Sequence, residues 1–179
     1  PQLEKVEEAL LAAQTKSNKN KMNSSFSQLL GTGQIMLITG TKKTLAKVGV
    51  VLGAGGFLPG FISIYLTYCD RLLATPPKDT QAGTVENVVR LGGFKLALEG
   101  PIKFLPQKNI LAFDFTRICV KFLGLKLYQG YIRGGKVKED EFYRKKVGKQ
   151  AFFAYFLVRD DFIAARGRGG GLALWSAVK

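Results

Sequence analysis

Histidine is absent from the 179-residue sequence. Its absence removes the commonest general base, the commonest metal ligand and any Ser-His triad. Cysteine occurs only twice, at Cys69 and Cys119, too few for a disulfide framework or a CxxC metal site. Acidic residues are also scarce, 13 against 27 lysines and arginines, which leaves a net charge of +14. The carboxylates that do cluster, Glu139-Asp140-Glu141 and Asp160-Asp161, are sequence neighbours. Neighbours on a helix do not face each other, so neither set makes an acid–base pair. No catalytic signature emerges, and the expectation is a protein that is not an enzyme.

Apolar residues, by contrast, make up 46% of the chain, with 13 phenylalanines and 21 glycines. A basic chain this rich in apolar residues suits an acidic protein surface or an anionic membrane face better than nucleic acid. The first 40 residues carry about +1 and residues 76–179 about +10, so the basic surface belongs to the C-terminal half. The sequence begins with Pro1 instead of Met, which hints at processing such as follows import into an organelle.

The longest uncharged stretch, 48–69, lies between Lys47 and Asp70. It is long enough to cross a bilayer as a helix. Gly49/Gly53 and Gly56/Gly60 form two GxxxG pairs that would let helices approach closely. Lys42, Lys43 and Lys47 would flank one interface, and Tyr65 and Tyr68 the other. Its VVLGAGGF run resembles the strand–turn–helix opening of extended short-chain dehydrogenases, where glycines approach a pyrophosphate. That resemblance implies a nucleotide site, but Pro59 falls inside the required helix and no YxxxK pair exists. A glycine-rich strand or loop buried in an ordinary core is the third reading.

Along the rest of the chain, 2–14 reads as an amphipathic helix through Leu3, Val6, Leu10 and Ala13, and 15–25 as a polar arm. Residues 26–41 suggest a buried strand. Alternation around Phe94, Leu96 and Leu98, then Ile102 and Phe104, predicts a β-hairpin turning at Gly100-Pro101, with another turn over 106–109. Residues 110–123 fit a helix or a strand, and 124–132 a strand. A helix is expected from Glu139 through AFFAYFLV (151–158) to Ala165, with Asp140–Arg144 and Glu141–Lys145 at i,i+4 spacing. Asp114 is expected to pair with Arg117, and Asp160-Asp161 with Arg159 and Arg166. Together these predict an α+β fold: amphipathic helices at both ends, a small antiparallel sheet in the middle, and the 48–69 stretch membrane-embedded or buried. The expected division is 1–25 helix and arm, 26–165 main domain and 166–179 a glycine-rich tail ordered by a partner.

The candidate partner-binding residues are basic and aromatic: Arg133, Lys136, Arg144, Lys145, Lys146, Lys149, Phe152, Phe153, Phe156, Arg166, Arg168 and Trp175. The helix-packing candidates are Gly49, Gly53, Gly56 and Gly60. The layout points to an accessory or linker subunit of a large organellar membrane supercomplex, with photosynthetic thylakoid assemblies favoured over respiratory ones. Its partners would be other subunits and the membrane. It requires no cofactor, though lipid or pigment could contact it. A second reading is RNA binding or ribosome association through the basic C-terminal half, where RGRGGG looks like a fragment of an RGG segment. A nucleotide-binding enzyme using the GAGGF turn is the third.

Overall fold

The computed structural model describes residues 2–20, 24–39, 56–57 and 60–178. Helix α1 (Gln2–Asn20) precedes a single-turn helix, α2 (Phe26–Leu29). Strands β1 (Gly31–Ile38), β2 (Gly56–Phe57), β3 (Ile62–Cys69), β4 (Gln81–Leu91) and β5 (Phe94–Leu105) follow. After a short 3-10 turn come β6 (Ile110–Phe113), β7 (Arg117–Phe122) and β8 (Leu125–Tyr131). Helix α3 (Gly135–Phe142) leads to β9 (Ala151–Val158), β10 (Phe162–Gly167) and β11 (Leu172–Ala177).

These strands close a barrel. The order β4-β3-β1-β11-β10-β9-β6-β5 returns to β4 through the β4–β5 hairpin, making an eight-stranded ring with antiparallel pairing throughout. Closure removes the edges of the ring itself, edges that would otherwise template aggregation. β2 adds a short pairing to β1, while β7 and β8 continue from β5 as a flap outside the ring.

Side-chain alternation fills the ring. In β3, Ile64, Leu66 and Tyr68 are buried while their neighbours are only half-buried. Val85, Ile102, Leu111, Tyr155, Ala165 and Trp175 join them in one interior cluster. The α2 turn plugs one end: Leu29 is buried in that cluster and Phe26 stacks on Phe104. A capping box at Ser25 and Gln28 holds this turn in place. Two patches cover the outer wall. α1 lays Leu10 against Leu37, Phe156, Ala164 and Leu172, and Phe142 of α3 packs with Tyr143 against Ala82 and Ala112.

β5 changes partner halfway. Phe94–Glu99 pairs with β7, and Ile102–Leu105 with β6. The changeover is at Gly100-Pro101, where the backbone carbonyl of Asp114 lies where a Cβ on residue 100 would sit. Only glycine allows that approach.

The α+β expectation is therefore corrected: strands form a barrel in place of a small sheet. The expected helix through 151–165 is β9 and β10, and Asp160-Asp161 lies in their three-residue connection, 159–161, closed by a hydrogen bond from Arg159 N to Phe162 O. Aromatic residues spaced two apart favour a pleated strand, and aspartates favour the turn. Residues 110–123 resolve as β6 and β7. The hairpin turn lies at Gly92-Gly93, and Gly100-Pro101 is instead inside β5, where the strand changes partner from β7 to β6. In the stretch 48–69, the described residues form β2 and β3, and no described helix is long and apolar enough to cross a membrane. Gly56 lies in β2 and Gly60 in the turn before β3, so neither packs a helix there. Gly49, Gly53, Lys42, Lys43 and Lys47 lie outside the described residues. The 166–179 tail contributes β11, paired on both sides with β1 and β10.

Candidate functional site

An eight-stranded barrel has an interior just wide enough to be filled by side chains or to hold one small ligand. Here both occur. Most of the interior is packed, but a cavity of about 200 Å³ lies at the α2 end. β1, β3, β9 and β11 supply Gly33, Leu66, Tyr68, Tyr155, Val158 and Trp175, and α2 supplies Leu29. Ile163 of β10 completes the apolar lining, and the exposed Arg159 and Asp160 stand at its rim. Gly33 leaves room for Trp175, because a Cβ there would come to 3.0 Å from the Trp175 Cβ.

The exposed Gln28 and the half-buried Thr32 also line the cavity, and its buried polar groups are two phenols and an indole. The Tyr155 hydroxyl donates to the Tyr68 oxygen at 2.8 Å. That leaves the Tyr68 proton available to an acceptor. Burial raises both phenols above their ordinary range, and for Tyr155 the neighbouring Tyr68 adds to the effect. Both are therefore neutral at physiological pH. The indole N–H of Trp175, 3% exposed, has no acceptor among the described residues. An unsatisfied buried donor carries a desolvation cost. This end of the barrel is thus largely apolar, with the phenol pair as the hydrogen-bonded pair buried within it and polar side chains towards its opening.

The residues expected to bind partners are not gathered in one place. Lys136 pairs with Asp140 at 2.8 Å and Lys145 with Glu141 at 3.1 Å, both along α3. Asp140 thus takes Lys136 in place of Arg144. Arg133 stands 3.9 Å from Asp114, while Arg117 pairs with Glu139 at 2.8 Å in place of Asp114. Arg144, Lys146 and Lys149 are exposed beyond α3. Arg166 binds the Gln14 side chain and the Gly170 carbonyl, and Arg168 reaches the Gln150 carbonyl. The RGRGGG segment is the β10–β11 turn, with Gly170 at φ +88°. Phe152 packs beside α3, Phe153 inside the barrel, and Phe156 under α1. Trp175 lies in the interior.

The sequence reading passed over Tyr155 and put Tyr68 at a membrane interface, whereas Tyr68 is buried in the barrel interior. Each sits on the inward parity of an apolar run, Tyr68 with Ile64 and Leu66, and Tyr155 with Phe153. Period-two alternation in 62–69 and 151–158 was the signal that could have found them.

Among the described residues no three His, Cys, Asp or Glu side chains converge as a metal site, and Cys69 and Cys119 are unpaired thiols. Fold and site together define an all-antiparallel eight-stranded barrel with a small apolar cavity at its plugged end. No protein-family model matches the chain, nor does any curated protein or solved structure.

Proposed function

We propose that the protein is a non-catalytic binding barrel whose end cavity takes a small apolar molecule carrying one hydrogen-bond acceptor, such as a carbonyl. The observation that carries this reading is the buried Tyr155–Tyr68 hydroxyl pair in a largely apolar lining, beside an indole N–H that has no partner among the described residues. Size sets the ligand class. An apolar cavity of about 150 Å³ takes a benzene ring, so this one suits a substituted ring or a short branched chain, or the end group of something longer.

The test uses two probes of matched shape, acetophenone and ethylbenzene. Trp175 is the only tryptophan and lines the cavity, so its fluorescence reports occupancy directly. Acetophenone is expected to bind about fivefold tighter, as one net hydrogen bond of about 1 kcal/mol implies. Removing both hydroxyls in Tyr68→Phe/Tyr155→Phe is expected to erase that preference. Failure of acetophenone to bind, or an unchanged preference in the double variant, would overturn the reading.

Service as an accessory subunit of an organellar membrane assembly is a separate proposal. It rests on the excess positive charge and on the apolar residues exposed at the flap. Its test is co-migration of the native protein with a membrane complex on native gels.

A further inference from the structure

The flap formed by β7 and β8 carries an arrangement that folding alone does not favour. Arg90 of β4 pairs in register with Lys95 of β5, Lys95 with Lys121 of β7, and Lys121 with Lys126 of β8. Cross-strand partners share a face, so four cations stand in one row across four adjacent strands. Like charges directly opposite each other destabilise a sheet. No acidic residue occurs in 87–98 or 118–131 to relieve them, and none of the four forms an ion pair among the described residues. A groove of about 470 Å³ runs along this face: Lys121, Lys126 and Gln129 line its part beside the row, and Arg117 with Glu86 and Glu99 line the part farther from the tip.

One residue nearer the tip, on the opposite face, the next row is apolar: Leu91, Phe94, Phe122 and Leu125 are successive partners. All four are exposed, as are Phe61 beside them and Leu123 in the β7–β8 turn. Leu123 and Leu125 are each 72% exposed. Leu123 and Gly124 both have positive φ, +47° and +84°. A two-residue turn of this kind strongly favours Asn-Gly. A leucine there meets neither the backbone's preference nor the solvent's.

We infer that this tip docks on an anionic lipid surface. The leucines and phenylalanines enter the acyl boundary while the cation row lies among the headgroups. A single-stranded nucleic acid would engage the cations but leave the leucine tip in water. A lipid surface accounts for both rows at once. The tip lies at the opposite end of the barrel from the cavity, since β3 pairs with β4 at Ile62–Leu91 and with β1 at Tyr68–Gly31. Docking at one end therefore leaves the cavity end free.

The experiment is co-sedimentation of the full chain with phosphatidylcholine vesicles, with and without phosphatidylglycerol. Binding is expected only with phosphatidylglycerol, and it should fall as salt shortens the screening length. Lys95→Gln/Lys121→Gln/Lys126→Gln should weaken binding by about fivefold per charge removed. Leu123→Asn should also weaken it. Both variants should melt at or above the wild-type temperature, since each relieves a local conflict, so lost binding cannot be ascribed to unfolding. Equal binding to both vesicles, no binding to either, or wild-type binding by both variants would overturn the inference. So would a preference for RNA over anionic vesicles that the same substitutions abolish.

Discussion

At the residue scale, the phenol pair makes two distinctive predictions. Removing one hydroxyl strands the other in an apolar interior, whereas removing both removes the need for a partner. Tyr68→Phe and Tyr155→Phe should each cost about 1–2 kcal/mol in urea unfolding, and the double variant no more than either. The pair also makes the barrel sensitive to alkali. Burial raises the phenols of Tyr68 and Tyr155, and raises Tyr143 to about 12. Above about pH 10 the unfolded chain releases phenol protons that the folded chain keeps, so stability falls as pH rises. The urea midpoint should drop between about pH 8 and about pH 11, and Tyr68→Phe/Tyr155→Phe should flatten that drop. Glu139 is a second buried anchor. Its fully buried carboxylate accepts from the Thr116 hydroxyl at 2.7 Å and from Arg117 Nε at 2.8 Å. Glu139→Ala leaves both donors without it and should cost about 2–3 kcal/mol, towards the lower end for a buried pair because Arg117 is partly solvated.

At the element scale, Gly100 and α1 give the sharpest tests. Gly100→Ala would drive a methyl group into the Asp114 carbonyl where β5 passes from β7 to β6. The expected result is a loss of more than about 2 kcal/mol, or failure to fold, read by urea titration and circular dichroism. α1 covers the outer wall through Leu10, and Leu10→Ala should cost about 2–3 kcal/mol. These elements also show what the sequence made legible. The helix through Leu10 and the strands around Phe94–Leu98 could be read from their periods of 3.6 and 2. AFFAYFLV could not. Phe152 packs beside α3, Phe153 and Tyr155 face inward, and Phe156 lies under α1, so the strand is apolar on both faces and its alternation is hidden. Gly100-Pro101 looked like a hairpin turn because glycine and proline also stand where a strand changes partner and another backbone comes close. The true turn, Gly92-Gly93, lay two glycines earlier in plain view. The cavity was illegible for a related reason: Tyr68 and Tyr155 are 87 residues apart and meet only when the ring closes.

At the scale of the whole molecule, closure of the ring gives the described strands one shared interior for their inward apolar side chains. Residues that looked like an exposed surface for partners, such as Phe153 and Trp175, are the barrel's own filling. The apolar surface left over is concentrated at the flap, opposite the cavity. The two proposals join at this scale: a cavity at one end for a small apolar molecule and a cationic, leucine-tipped flap at the other for an anionic surface. The cavity is the central claim, and the single tryptophan gives it one clean probe. In a ¹⁵N-labelled sample, Trp175 contributes the only indole N–H resonance. Titration with acetophenone should move that resonance saturably, and ethylbenzene should need a higher concentration for the same occupancy. A resonance that neither compound moves, or that both move with equal affinity, would contradict a cavity that selects an apolar molecule by its acceptor.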